Sequence, residues 1–265
     1  MAFTHPDPQL PVLGFGLSSS AHLDVEALAA ALLENFEVGV RVVDLPAREG
    51  RPAARTVAVE TDDVVVLVTP VDAPVPAAEA VRACHPLWWT DPTPVAQHAS
   101  HTIITALPQR GRSVDRPLVV LIASIFSVVA SVLMEQPDAV ALYFGSGGIT
   151  YPARRYAGQV IESLEAGAAP VDLWTSVWLQ PQPDGTVSGH TIGLDTFGHA
   201  DLLVERSTHT LAEVYERLAM LATYVITTAE SLQPGVPLAF SPTERLEVEP
   251  VASDAHPLGA LRVRY

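Results

Sequence analysis

Lysine is missing: all 15 basic residues are arginines. That excludes a P-loop lysine, a Schiff-base lysine and a Ser-Lys dyad. Cysteine occurs once, at Cys84, which rules out an internal disulfide and a thiolate zinc cluster and fits a reducing compartment. Charged residues are sparse, 17% against 48% hydrophobic, so global disorder is excluded. Positive charge is the scarcer sign: 15 arginines face 30 acids, a net charge of -15. Such a chain repels phosphate backbones and anionic membrane surfaces, so neither nucleic acid nor membrane is an expected partner. Common catalytic signatures are lacking too. There is no HExxH and no GxSxG elbow. Cys84 and His85 are adjacent in sequence, a poor arrangement for a Cys-His pair, and Asp62-Asp63 reads as a solvated turn. Met1 to Pro11 carries no basic or apolar leader pattern, so no signal peptide is expected.

The 265 residues suffice for a sizeable core. Hydrophobic periodicity predicts strands at Val12 to Leu17, Val40 to Leu45, Arg55 to Glu60 and Val64 to Thr69, with a helix from Val25 to Phe36 capped from Ser20 to Asp24. Residues 1–70 therefore read β-α-β-β-β. Residues 71–96 are a connector rich in proline and tryptophan. Residues 97–265 read as a second α+β portion. Its predicted strands are His101 to Leu107, Ala139 to Phe144, Val171 to Gln180, Val187 to Leu194, Asp201 to Arg206, Arg245 to Glu249 and Leu261 to Arg264. Its helices are the apolar run Pro117 to Leu133, Ala153 to Ala166, and Thr208 to Glu230 with Leu211 facing the core. The apolar run approaches the length of a membrane span. Its tight charged ends, Pro117 at its start and a stripe of Ser124, Ser127 and Ser131 favour a core helix lying on a sheet. The expected fold class is α+β: mixed and antiparallel sheets with helices on one face, arranged as two similar α/β halves in one compact unit.

Few residues invite chemistry. Gly145, Ser146, Gly147 and Gly148 follow a strand and, in this reading, precede a helix, a context in which backbone N–H groups cradle an anion. Arg154 and Arg155 lie just downstream and could hold a carboxylate or phosphate. A tight turn beside a surface arginine pair is the plainer reading. His98, His101, His190 and His199, with Asp195 in GHTIGLDTFGHAD, could ligate a metal, but their spacing fits no ligand pattern, so neither a metal nor a cofactor is expected. Trp88-Trp89 could anchor a partner, or plug the junction between the halves. Trp174 and Trp178, four apart on one predicted strand, read as core.

Several stretches taken together, VDAPVP, QHASHTIITAL, AVALYFGSGGITYP, VDLWTSVWL and HTIGLDTFGHADLLVE, resemble a bacterial family known as domain of unknown function 4261. The resemblance spans about Val64 to Tyr265 and implies no catalytic residues. The sequence thus points to a non-enzymatic binding protein of the bacterial cytoplasm with a protein partner. A sharper form is an immunity-type protein neutralising a basic toxin through its acidic surface. The alternatives are a small-ligand binder or enzyme built on the Gly145 to Gly148 loop, and a homodimeric assembly component.

Overall fold

A computed structural model describes residues 3–20, 24–35, 39–46, 54–228, 230–239, 245–253 and 256–264. The expected position of Phe36 on the first helix lies outside them, as does most of the loop between the second and third strands.

The first sheet has seven strands. Β1 (Val12–Ser18) leads to α1 (Val25–Asn35), whose first turn is capped by Asp24 Oδ1, accepting from Glu26 N and Ala27 N at 3.1 and 3.0 Å. Strands β2 (Gly39–Leu45), β3 (Ala54–Glu60) and β4 (Val64–Val71) form an antiparallel meander. The connector then folds as two short helices, α2 (Ala77–Arg82) and α3 (Thr93–Ala96), where sequence periodicity gave none. Its prolines hid them: Pro76 and Pro92 flank their starts, the position where proline is compatible with a helix. Next come β5 (Ser100–Pro108), α4 (Arg116–Met134), β6 (Ala139–Phe144) and β7 (Ile149–Pro152), giving the order β2-β3-β4-β5-β1-β6-β7. Thus β5 pairs with both β4 and β1, and strands from either side of the connector share one sheet.

The second sheet has six strands. After α5 (Ala153–Glu165) come β8 (Ser176–Pro181), β9 (Val187–Ile192) and β10 (Asp201–Ser207), then α6 (Leu211–Thr228) and β11 (Leu238–Ala239), β12 (Arg245–Ser253) and β13 (His256–Arg264). The order is β11-β12-β13-β10-β9-β8, with β10 and β13 parallel. Among the described residues, two mostly antiparallel sheets with six helices make an α+β fold. Helix α6 begins at Leu211, later than periodicity suggests, because Thr210 and Glu213 close a capping box. Thr210 N donates to Glu213 Oε2 at 2.8 Å and Glu213 N to Thr210 Oγ1 at 3.3 Å. Leu211, expected in the core, is 44% exposed in that first turn.

Helix α4 is long and apolar enough to cross a membrane by composition. Here it lies across the first sheet, with Val119, Ile122, Phe126 and Ala130 fully buried. The expectation that its serine stripe permits this close packing is corrected. The room comes from the strand: a Cβ on Gly14 would sit 2.6 Å from Phe126, and one on Gly16 2.6 Å from Leu133. Both glycines alternate onto the helix-covered face of β1. Ser127 instead donates to Ala123 O and accepts from the Trp174 indole N–H, both at 2.8 Å.

Candidate functional site

The second sheet is covered by α6 on one face, through Val214, Leu218, Leu221 and Val225. Its other face follows from strand register. Trp178 on β8 lies opposite His190 on β9, and His190 opposite Leu203 on β10. Gln180 opposes Ser188, and Ser176 opposes Ile192. Period-two alternation therefore puts Trp178, Gln180, Ser188, His190, Ile192 and Leu203 on the face away from α6. With Glu79 and Arg82 of α2, Tyr143 of β6 and Gly148, they line an open cleft of about 780 Å³ between the two sheets.

Each wall has a structural cause. Tyr143 stacks on Phe15 of the neighbouring strand, centroids 5.6 Å apart, and its hydroxyl donates to Glu79 Oε1 at 2.9 Å. Partial burial, and then the Glu79 carboxylate, push the Tyr143 phenol up to about 12, so it keeps its proton at neutral pH. Trp178 donates to Ser176 Oγ at 3.0 Å, and Ser176 Oγ donates to Gly147 O at 2.9 Å. His85 meets the Trp178 ring edge-on at 4.7 Å and bridges β8 to the connector: Leu87 N donates to its Nδ1 at 3.2 Å, which leaves Nε2–H to donate to Val177 O at 3.0 Å. Burial lowers the His85 pKa, in keeping with a neutral ring holding two backbone groups.

The glycine loop is differently placed from expectation. It does not run from strand to helix. Ile149 to Pro152 form β7, antiparallel to β6, because the β-branched and aromatic run Ile-Thr-Tyr suits a strand. The loop is a tight 3₁₀ turn in a hairpin. Ser146 Oγ accepts from Leu13 N at 3.1 Å. Gly147 is packed so closely that a Cβ would meet Trp174 O at 2.8 Å, and Gly148 N is turned back to Gly145 O at 3.3 Å. Of the four, only Gly148 reaches the cleft.

The remaining sequence-selected residues are dispersed. His190 lines the cleft. Asp195 sits in a 3₁₀ turn, Leu194–Phe197, where its Oδ1 accepts from Thr196 N at 2.9 Å. The carboxylate that organises this segment is Asp201, absent from the sequence-derived candidates. It is buried, and its Oδ1 accepts from Thr191 Oγ1 at 2.9 Å and Leu194 N at 3.2 Å. Arg154 and Arg155 open α5, and neither lines the cleft; the Arg155 guanidinium lies 3.7 Å from the Trp88 ring centroid. Trp88 packs against the main core, while Trp89 joins the smaller cluster under α2 and donates to Thr150 O at 2.7 Å. Trp174 and Trp178 do not share a strand. Trp174 ends a 3₁₀ turn and is fully buried, whereas Trp178 is half-buried in the cleft.

The other histidines act as pegs. His98 accepts from Val75 N through Nε2 at 3.0 Å and donates from Nδ1 to Val95 O at 2.6 Å. His101 Nδ1 bonds Ala73 O at 2.5 Å. His5 accepts from Ala200 N at 3.2 Å and donates to Leu232 O at 2.9 Å, docking the N-terminal segment edge-on against His199. Burial, reinforced by the Arg116 guanidinium and His5, pulls His199 down to about 3. Among the described residues, no group of three or more His, Cys, Asp or Glu could hold a metal ion. No family model matches the chain, and neither a curated protein nor a solved structure matches it.

Proposed function

We propose that this chain is a binding protein whose ligand is a small molecule seated in the cleft between the two sheets. One observation carries this reading. The cleft, about 780 Å³, combines two aromatic side chains, Trp178 and Tyr143, with hydrogen-bonding groups from Gln180, Ser188, His190 and Arg82. Ligand sites of roughly 300–1,000 Å³ share that mixture of apolar area and a few polar anchors. A planar ligand part would lie against Trp178, with polar substituents toward β9 and α2. An enzymatic use of the glycine loop would have to act through Gly148 and His190, the two members of the sequence-selected set that line the same cleft.

The test is a ligand-observed screen of polar metabolites against the full chain, followed by Trp178→Ala and His190→Ala. Each substitution is expected to weaken a genuine hit at least about tenfold, the loss of one aromatic or polar anchor. Hits that bind both variants as tightly as the parent would refute the cleft as their site.

The net charge of -15 supports a second reading, an immunity-type protein that captures a basic toxin at its acidic surface. Its association rate would fall steeply with added salt. A rate indifferent to salt, or no protection of cells against the toxin, would remove it.

A further inference from the structure

Helix α2 brings two opposite charges to the cleft and leaves both uncommitted. Three charged side chains line the cleft: Glu79, Arg82 and Glu205. Glu205 is neutralised in place. Its Oε2 lies 2.7 Å from Arg262 Nε, and Arg262 also donates to Glu249 Oε1 at 2.7 Å. Glu79 and Arg82 differ. They stand three residues apart on α2, a spacing that sets Cβ atoms about 5–6 Å apart on one helix face and lets opposite charges pair. Here they do not pair. Glu79 turns to Tyr143, whose hydroxyl occupies Oε1, and Arg82 turns back along the helix, its Nε donating to Ala78 O at 3.4 Å. Among the described residues, neither Glu79 Oε2 nor the two terminal nitrogens of Arg82 has a partner. Arg41, Arg206 and Arg264, by contrast, each hold a carboxylate. The helix beneath is tied to β7. Ala80 is fully buried, and Thr150 donates to Ala80 O through Oγ1 and to Ala83 O through its backbone N–H, both at 2.8 Å.

We infer that the ligand of the cleft is an α-amino acid with a planar side chain, its carboxylate held by Arg82, its ammonium by Glu79 and its ring against Trp178. This rests on the cleft being a ligand site and adds the class of the ligand. Geometry favours a zwitterion. The two charges stand side by side, as do the carboxylate and ammonium of an amino acid on their shared carbon. An arginine fork accepts a carboxylate through two parallel N–H bonds, and a free carboxylate oxygen accepts an ammonium N–H. Charge favours it too. A chain at -15 repels a ligand of net negative charge, while a ligand of net positive charge meets Arg82. A zwitterion has no net charge and satisfies both groups. The ring follows from Trp178. Its N–H is already donated to Ser176 Oγ at 3.0 Å and His85 meets it edge-on, so it offers the cleft apolar ring surface, which suits a flat side chain.

Titrations of the full chain followed by ligand NMR test this with L-tryptophan, L-tyrosine, L-phenylalanine and L-histidine. The tightest is then compared with the amine that lacks its carboxylate and the acid that lacks its ammonium. The amino acid is expected to bind at least about tenfold more tightly than either analogue, the effect of one charge-assisted contact. Arg82→Gln is expected to weaken the amino acid by a similar factor and the amine not at all. Glu79→Gln is expected to weaken the amino acid and not the acid. Both side chains are exposed, so neither change disturbs the core. If none of the four amino acids binds, or if amine and acid bind as tightly as the amino acid, the inference is overturned. Failure of the cleft itself reads differently. Analogues that bind equally well, yet lose affinity in Trp178→Ala, keep the cleft as a ligand site and reject the zwitterion. Binding that Trp178→Ala leaves untouched rejects both.

Discussion

The two sheets are built alike and exposed differently. The first packs α1, α4 and α5 on one face and the short α2 and α3 over the β1-β6 end of the other; the second packs α6 on one face. Each leaves part of its other face only half-buried. On the first sheet the half-buried residues there are Leu13, Val65, Leu67, Ile103, Thr105 and Leu107; on the second they include Trp178, Ser188 and His190, with Gln180 exposed. The backbone is indifferent to this choice, because alternation lets one strand satisfy a core and present any chemistry outward. A mainly aliphatic surface offers little to a small polar ligand. A surface mixing aromatic rings with polar groups suits a small molecule. The two faces thus differ in chemistry, and the contrast holds only if the sheets stay fixed relative to one another.

That fixation rests on a backbone-to-backbone junction, and breaking it gives the largest expected effect. Gly193 has φ +105°, and a Cβ there would meet Trp174 O at 2.9 Å, the Gly147 Cα at 3.1 Å and Ser146 O at 3.2 Å. None of these atoms is the end of a flexible side chain. Gly193→Ala combines backbone strain with overpacking and is expected to cost about 4 kcal/mol, seen as a large fall in urea midpoint. A near-parental midpoint would mean that the sheets can shift apart without penalty.

A second lever is acid. His199 stands where the N-terminal segment, the start of α4 and the second sheet meet: Arg116 of α4 donates to Gly198 O at 2.6 Å, and the His5 ring lies 5.7 Å from that of His199. Its pKa is about 3 in the fold against 6.5 ordinarily. The unfolded chain therefore takes up a proton near pH 6.5 while the folded chain does not until far lower. Stability is full above pH 6.5 and declines as pH falls toward 3. Between pH 6.5 and 4.5 this one group removes about 2 kcal/mol. His5, also lowered by burial, acts in the same direction. Urea titrations of the parent and His199→Gln over this range isolate the difference. Parallel pH profiles would show that His199 carries no such linkage.

Much of this architecture is legible in the sequence. The strands with clean alternation, such as Arg55 to Glu60 and His101 to Leu107, form within a residue or so of expectation. The failures share a cause: a local reading was decided by a pairing or packing partner. Ile149 to Pro152 is too short to announce a strand, yet β6 lies beside it. The Trp174 and Trp178 spacing resembles one strand until Trp174 turns to Ser127. The G-F-G of β1 was present to be read, but only α4 lying across it gives those glycines a purpose. The site was the least legible part. Of the sequence-selected loop and histidines, Gly148 and His190 reach the cleft, whereas Trp178, Tyr143 and Glu79 arrive by register and by the folding of the connector.

The smallest effect sharpens the cleft side of the comparison. If the cleft is tuned for binding, its polar groups should be held in set protonation states rather than merely solvated. Tyr143 offers the test. Its phenol is raised to about 12, first by burial and then by the Glu79 carboxylate it donates to. Glu79→Gln removes the charge and leaves the burial, so the phenol is expected to titrate lower, between its ordinary value near 10 and the parent value. The midpoint is read from tyrosinate absorbance, with Tyr143→Phe assigning the signal. Stability should change by less than about 1 kcal/mol, because the carboxylate of α2 lies at the surface. An unmoved midpoint would mean that burial alone sets the phenol and that Glu79 does not govern the cleft. A drop would show α2 and β6 coupled across its mouth, and a ligand competing for Glu79 should then lower the Tyr143 titration in the parent chain as well.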